Sequence, residues 1–184
     1  NNTASGNTFV GDNSGTSNTS GNGNTYVGMG TGLLNRTGSN NTLVGNGAGN
    51  GSDLAYYNFS NNSFFGTSAG ENVKMSGDNV AIGYQSLYTQ SYGTSAWSSN
   101  NVAVGNKALY SNQPTSTSNG INNTALGYNS LYTNSTGASN TSIGFKSGYN
   151  NTTASENTFL GYQSAYNCTT RTANVISGFN AHYY

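Results

Sequence analysis

The apolar positions of this chain recur in short runs separated by longer polar stretches, and the runs are variants of one another. Asn123-Thr124-Ala125-Leu126-Gly127-Tyr128-Asn129-Ser130-Leu131-Tyr132 is one copy; nine others open at Asn7, Asn24, Asn41, Asn62, Asn79, Asn101, Asn140, Asn157 and Asn174. In all ten the fifth residue is glycine: Gly11, Gly28, Gly45, Gly66, Gly83, Gly105, Gly127, Gly144, Gly161 and Gly178. The intervals between opening asparagines are 17, 17, 21, 17, 22, 22, 17, 17 and 17 residues, so a 17-residue period carries three insertions of four or five residues. A fixed short period marks a solenoid, whose repeats bury their apolar faces only against neighbouring repeats.

Stacking the copies turns the sequence into columns. Val10, Val27, Val44, Phe65, Ile82, Val104, Leu126, Ile143, Leu160 and Ser177 form a column that is apolar in nine of ten copies, which predicts a buried face. Two residues earlier lie Thr8, Thr25, Thr42, Ser63, Val80, Val102, Thr124, Thr141, Thr158 and Val175, placed on the same inward face by period-two alternation. Runs this short, rich in β-branched residues and ended by glycine, read as strands. The glycine reads as a corner that needs positive φ or close backbone approach.

Three residues past the glycine the side chain is always small, as a narrow interior requires. In the second half Tyr88, Tyr110, Tyr132, Tyr149, Tyr166 and Tyr183 fall in register, and Tyr84, Tyr128, Phe145, Tyr162 and Phe179 supply a second aromatic column. Stacked rings at strand spacing predict that this half is the more stable. The fold expected is all-β: a parallel β-solenoid of ten coils, a single domain over residues 1–184. Its opening asparagines, Asn7, Asn24, Asn41, Asn62, Asn79, Asn101, Asn123, Asn140, Asn157 and Asn174, form a structural ladder of amides bonded from coil to coil.

Composition narrows the function. Asn (33), Ser plus Thr (49) and Gly (26) make up 108 of 184 residues, which excludes an ordinary globular core. The aromatic residues and the strict apolar period argue against disorder. With 5% charged residues and zero net charge, the electrostatic attraction that drives nucleic-acid and anionic-membrane binding is absent. No apolar run reaches membrane-spanning length, so no membrane insertion is expected. The start at Asn1, without methionine or leader, is that expected of a mature secreted chain or of a fragment. The single Cys168 reads as a small buried filler.

One histidine, His182, and five scattered carboxylates offer no acid–base pair, triad or metal cluster, so neither an enzyme nor a cofactor is expected. Asn46-Gly47-Ala48-Gly49-Asn50-Gly51-Ser52-Asp53 is faintly like a calcium-binding nonapeptide, but it occurs once. The insertions, 50–61, 88–100 and 110–122, bulge from one side; Tyr56, Tyr57, Tyr92 and Trp97 in them are candidate surface contacts for a glycan or host surface, or a cover for the coil edge. Asn1, Asn18, Asn35, Asn134 and Asn151 lie six residues before an opening asparagine in Asn-X-Ser/Thr triplets, and are candidate glycosylation sites.

Units such as Asp78-Asn79-Val80-Ala81-Ile82-Gly83-Tyr84-Gln85-Ser86 and Ser139-Asn140-Thr141-Ser142-Ile143-Gly144 resemble the head repeats of trimeric autotransporter adhesins, and Asn122-Asn123-Thr124-Ala125-Leu126-Gly127-Tyr128-Asn129-Ser130-Leu131 resembles repeats of phage tail fibres. The resemblance implies a left-handed parallel β-roll in an extracellular or cell-surface adhesin or fibre, though the adhesin repeat is shorter than 17 residues. It also implies that the residue between the two inward positions faces outward: Phe9, Tyr26, Leu43, Phe64, Ala81, Ala103, Ala125, Ser142, Phe159 and Ile176. Such an outward column would need a cover, from lateral association or a folded-back loop. Ten periods of 17 plus insertions of 4, 5 and 5 make 184, and neither end shows an atypical capping repeat. The partner expected is therefore the chain itself, stacked head to tail into a filament for adhesion or matrix building, with lateral or trimeric association as a further arrangement. The alternative is a receptor- or glycan-binding segment of an adhesin or phage fibre. Ice binding by the threonine column is the poorer reading, because alternation places that column inside.

Overall fold

Parallel pairing of the repeat produces one long sheet. The computed structural model describes residues 3–51 and 57–183. Ten strands of three residues, one per coil, pair in parallel and in order: β1 (Thr8–Val10), β2 (Thr25–Val27), β3 (Thr42–Val44), β4 (Ser63–Phe65), β7 (Val80–Ile82), β10 (Val102–Val104), β11 (Thr124–Leu126), β12 (Thr141–Ile143), β13 (Thr158–Leu160) and β14 (Val175–Ser177). Register is kept column on column across insertions: Ser63 pairs with Val80, Val80 with Val102 and Val102 with Thr124. The architecture is a parallel β-solenoid of ten coils with a period of about 17 residues.

The insertions fold back onto the coil edge. β5 (Asn72–Val73) pairs with β8 (Thr89–Gln90), and β6 (Ser76–Gly77) with β9 (Trp97–Ser98), so the second insertion adds strands beside the coils. Tyr57, at the end of the first insertion, bridges to Asn35 and is buried.

The inside and outside of the main sheet are the reverse of the alternation reading. In β2, β3, β4, β7, β10, β11, β12 and β13 the middle residue is buried and the two flanking residues are exposed or half-buried. Thus Tyr26, Leu43, Phe64, Ala81, Ala103, Ala125 and Phe159 lie in the core, while Val10, Val27, Phe65, Ile82, Leu126 and Leu160 are exposed. A three-residue strand gives two side chains to one face and one to the other. A narrow coil has room for the single one.

Four columns per coil have positive φ: the residue before the opening asparagine, the invariant glycine, and the residues two and four past it. The invariant glycines sit at φ 126 to 138, and a Cβ on Gly127 would lie 2.4 Å from the carbonyl oxygen of Gly144 in the next coil. Positive φ and close backbone approach are both required there. Leu87, Leu109 and Leu131 occupy the last of these columns at φ 46 to 50, a region that costs a branched residue on the order of 1 kcal/mol or more.

Those leucines are explained by volume. In five coils a large middle residue of the strand goes with a small one six positions later, Phe9 with Gly15, Tyr26 with Gly32, Leu43 with Gly49, Phe64 with Gly70 and Phe159 with Ala165, while the tenth coil departs from this with Ile176 and His182. Where the middle residue is Ala81, Ala103 or Ala125, the later one is Leu87, Leu109 or Leu131. A Cβ on Gly32 would meet the Tyr26 ring at 2.4 Å, and one on Gly70 the Phe64 ring at 2.2 Å. The two positions fill one space, and the core keeps its volume by exchange between them. Coil eight has Ser142 with Gly148; a Cβ on Gly148 would meet Phe159 of the next coil at 2.7 Å and Leu131 of the previous one at 3.0 Å, so its neighbours fill it.

Gly70→Leu is therefore expected to destabilise by roughly 3 kcal/mol or more through overpacking and strain. Adding Phe64→Ala should recover most of that loss by copying the pairing of Ala81 with Leu87. Urea melts of the two single variants and the double give the coupling; simple additivity would refute the shared space.

Candidate functional site

What this chain offers chemically is its coil-to-coil interface and the surfaces that run along it. The opening asparagines build the interface. In each of the nine steps the backbone N–H of one opening asparagine donates to Oδ1 of the preceding one, at 2.8 to 3.0 Å, from Asn24 on Asn7 to Asn174 on Asn157. The Nδ2 group of most then donates to a turn carbonyl three residues before the next opening asparagine: Asn24 to Gly38, Asn101 to Gly120, Asn123 to Gly137, Asn140 to Ala154. Asn24, Asn41, Asn101, Asn123 and Asn140 are wholly buried. A buried primary amide is tolerable only when satisfied in this way.

Three of the candidate glycosylation sites are part of the same machinery, while the side-chain amide of Asn18 makes no hydrogen bond among the described residues. Asn35, Asn134 and Asn151 are wholly buried and Asn18 nearly so; Asn1 lies outside the described residues. Asn151 Nδ2 donates to Asn134 Oδ1 at 3.0 Å, Asn134 Nδ2 to Asn112 Oδ1 at 3.0 Å, and Asn112 Nδ2 to Gln90 Oε1 at 3.1 Å. This second, internal ladder shares acceptors with the first, since Asn123 and Asn134 both clamp the Gly137 carbonyl, and Asn101 and Asn112 both clamp that of Gly120. A glycan on Asn35, Asn134 or Asn151 would have to occupy the core, so the fold excludes these positions as surface carbohydrate sites. Their recurrence in one register was the signal that pointed inward; Gln90 and Asn112, which carry no triplet, were missed.

Aromatic side chains form two tracks along one side. Tyr88, Tyr110, Tyr132, Tyr149, Tyr166 and Tyr183 stack at centroid distances of 5.0 to 5.1 Å and are half-buried. Tyr128, Phe145, Tyr162 and Phe179 stack at 5.0 to 5.3 Å and are exposed; Tyr84 is cut off from them by Asn106. The rings therefore bury less area than a ladder inside the coil would. Lys146 lies between the tracks, its Nζ 5.5 Å from the Phe145 ring and 5.4 Å from that of Tyr149. Burial, then the neighbouring tyrosines, push the pKa values of Tyr110 and Tyr149 upward.

Of the candidate surface contacts, Tyr57 is buried and so corrects that reading, while Tyr56 lies outside the described residues. Tyr92 and Trp97 pack edge to face at 6.5 Å and are half-exposed. A groove of about 510 Å³ runs along the insertions, lined by Tyr57, Asn72, Lys74, Thr89, Gln113 and Pro114 among others. Among the described residues no cluster of three or more His, Cys, Asp or Glu side chains could hold a metal, and no helix is long and apolar enough to cross a membrane. Asp53 of the nonapeptide-like segment lies outside the described residues. Cys168 is buried and unpaired. Comparison with protein-family models, with curated proteins and with solved structures gives no match to this chain.

Asn123→Ala removes the acceptor for the Asn140 N–H and one donor to Gly137, and is expected to cost about 2–4 kcal/mol. Asn106→Ala, on the surface, should cost less than about 0.5 kcal/mol in the same denaturant melt.

A second expectation concerns pH. Tyr26 is buried, its hydroxyl accepting from Asn35 Nδ2 at 2.8 Å, and burial pushes its pKa up to about 12. The folded state thus prefers the neutral phenol; this contribution is complete below the unfolded value near 10 and is lost as pH rises through about 12. Wild-type stability should fall over that window by roughly 2–3 kcal/mol more than that of Tyr26→Phe, read from urea midpoints.

Proposed function

We propose that this chain is a structural unit of an extracellular fibre whose coils stack head to tail, used for adhesion or for building a matrix, with no catalytic role. The observation that carries this reading is the nature of the last interface. The tenth coil keeps the geometry of the inner ones: Asn174 continues the ladder, Gly178 keeps φ 128, and Val175 and Phe179 are 81% and 74% exposed where inner coils are covered by a neighbour. At the other end β1 is exposed along its whole length. A further coil stacked on either end, which we take to be a second copy's, would meet the same chemistry as any internal step. The extracellular setting rests on the resemblance to adhesin heads and tail fibres, supported by a composition poor in charge and rich in asparagine, serine and threonine.

The groove beside the insertions favours a second reading, a fibre segment that holds a glycan between Asn72, Lys74 and Gln113. A glycan array comparing wild type with Gln113→Ala and Lys74→Ala separates the two. Loss of a wild-type signal in either variant supports it, and absence of any signal leaves the fibre reading ahead.

End-on stacking has a steric test. A Cβ on an inner invariant glycine would meet the next coil's glycine carbonyl group at 2.3 to 2.7 Å, whereas on Gly178 its nearest neighbour is Ala181 Cβ at 3.7 Å. Gly178→Ala should therefore leave the monomer folded, with any loss confined to the last coil, while blocking addition of a following subunit. Electron microscopy of the wild type should show filaments with an axial repeat of about 48 Å, and of the variant only short particles. Filaments of unchanged length in the variant would refute head-to-tail stacking.

A further inference from the structure

The outer face of the ten-stranded sheet is unlike the rest of the surface. Both outward columns run the length of the solenoid: the threonine and valine column from Thr8 to Val175, and the aliphatic column from Val10 through Phe65, Ile82 and Leu126 to Leu160. None of their twenty side chains is charged, and only hydroxyls interrupt the apolar surface. Val10 is 55% exposed, Leu160 47%, Leu126 44% and Ile82 42%. Among the described residues, the insertions that fold back do so beside the other coil edges, at Asn35, β5 and β6, and none covers this face. The exposed aromatic track cannot form an equivalent continuous strip, because it begins only at Tyr128 and would be broken at each subunit junction.

We propose that this face is where a second filament of the same chain docks, sheet against sheet; the inference rests on the head-to-tail reading. The size of the face argues for this occupant. Ten rungs at roughly 4.8 Å and three residues at about 3.3 Å give a footprint of roughly 480 Å² per subunit. A stable dimer buries about 800 Å² per partner, so one subunit's face is too small to hold a pair. In a filament the faces add along the axis, each pairing makes the next intramolecular, and a few subunits in line exceed the threshold. Lateral pairing is thus a property of the polymer and leaves the free subunit monomeric.

Geometry also selects the direction. A two-fold axis across the filaments places aliphatic column on aliphatic column and threonine on threonine, where hydroxyls bond to each other. A two-fold axis along them would set threonines against the aliphatic column and leave those hydroxyls buried without partners. The paired filaments run antiparallel, with the sheets about 10 Å apart.

Mass per length by scanning transmission electron microscopy tests the pairing. One chain of 19.0 kDa per rise of about 48 Å gives roughly 4 kDa per nm for a single filament and roughly 8 for a pair. Wild type is expected at the higher value. Val104→Lys with Ile143→Lys, and separately Leu126→Lys with Leu160→Lys, put charges on the outer face without touching the core, and should halve the mass per length while filaments persist. Circular dichroism confirms that each variant folds. Wild-type filaments at the single value, or variants still at the double one, overturn lateral pairing and leave head-to-tail stacking intact. Single wild-type filaments that also partition into growing ice would assign the threonine column to ice instead. Monomers with no filaments at all refute the stacking on which the pairing depends.

Discussion

An amide side chain in the core of a narrow coil is costly unless it is hydrogen-bonded, and here each opening asparagine is bonded to the adjacent coil. The opening asparagine accepts the next coil's N–H and, in most coils, donates to the carbonyl that closes its own turn. That requirement fixes the axial register, because a slip of one residue would strand every buried amide at once. It also accounts for a solenoid with so little apolar content: much of its interior is a pair of polar ladders, converging on shared carbonyls such as those of Gly120 and Gly137.

Fold class, coil number, parallel pairing and the place of the insertions were legible in the sequence, because the 17-residue period and the invariant glycine are direct consequences of strand stacking. Which face is inside was not. Alternation gives parity but no sign, and the sign was taken from β-branched and aliphatic residues in the flanking columns, whose abundance reflects the outer surface of a flat sheet. Two clues carried the right answer. The opening asparagine has the same parity as the middle residue of the strand, so an internal amide ladder already places Tyr26 and Leu43 inside. The exchange of Phe64 and Gly70 for Ala81 and Leu87 is a packing constraint written within one chain. The reversal also removes the ground on which ice binding was set aside, since the threonine column faces out.

The asparagines in glycosylation triplets show why a short motif needs its structural setting. Asn35, Asn134 and Asn151 satisfy the pattern because threonine is abundant in the turns, yet their shared register is the mark of a column, and a column of amides one strand spacing apart bonds to itself. The surface is left to other residues: the threonine and aliphatic columns, the two ring tracks with Lys146 between them, and the groove along the insertions. The first of these is the only one continuous over all ten coils.

Because large and small side chains are exchanged within a single coil, most coils close their own share of the interior and present the same outline to whatever lies above or below. Such units behave as interchangeable bricks. Gain or loss of a 17-residue segment in the gene would yield a chain one coil longer or shorter whose new neighbours already fit, so the length of the solenoid would change in steps without redesign of the core. Coil eight is the exception: Phe159 and Leu131 fill the space beside Gly148, so removing the coil that carries either ring or leucine would open a hole. Variation in coil number among such chains should therefore be free elsewhere and restricted around Ser142, where three consecutive coils must be inherited together.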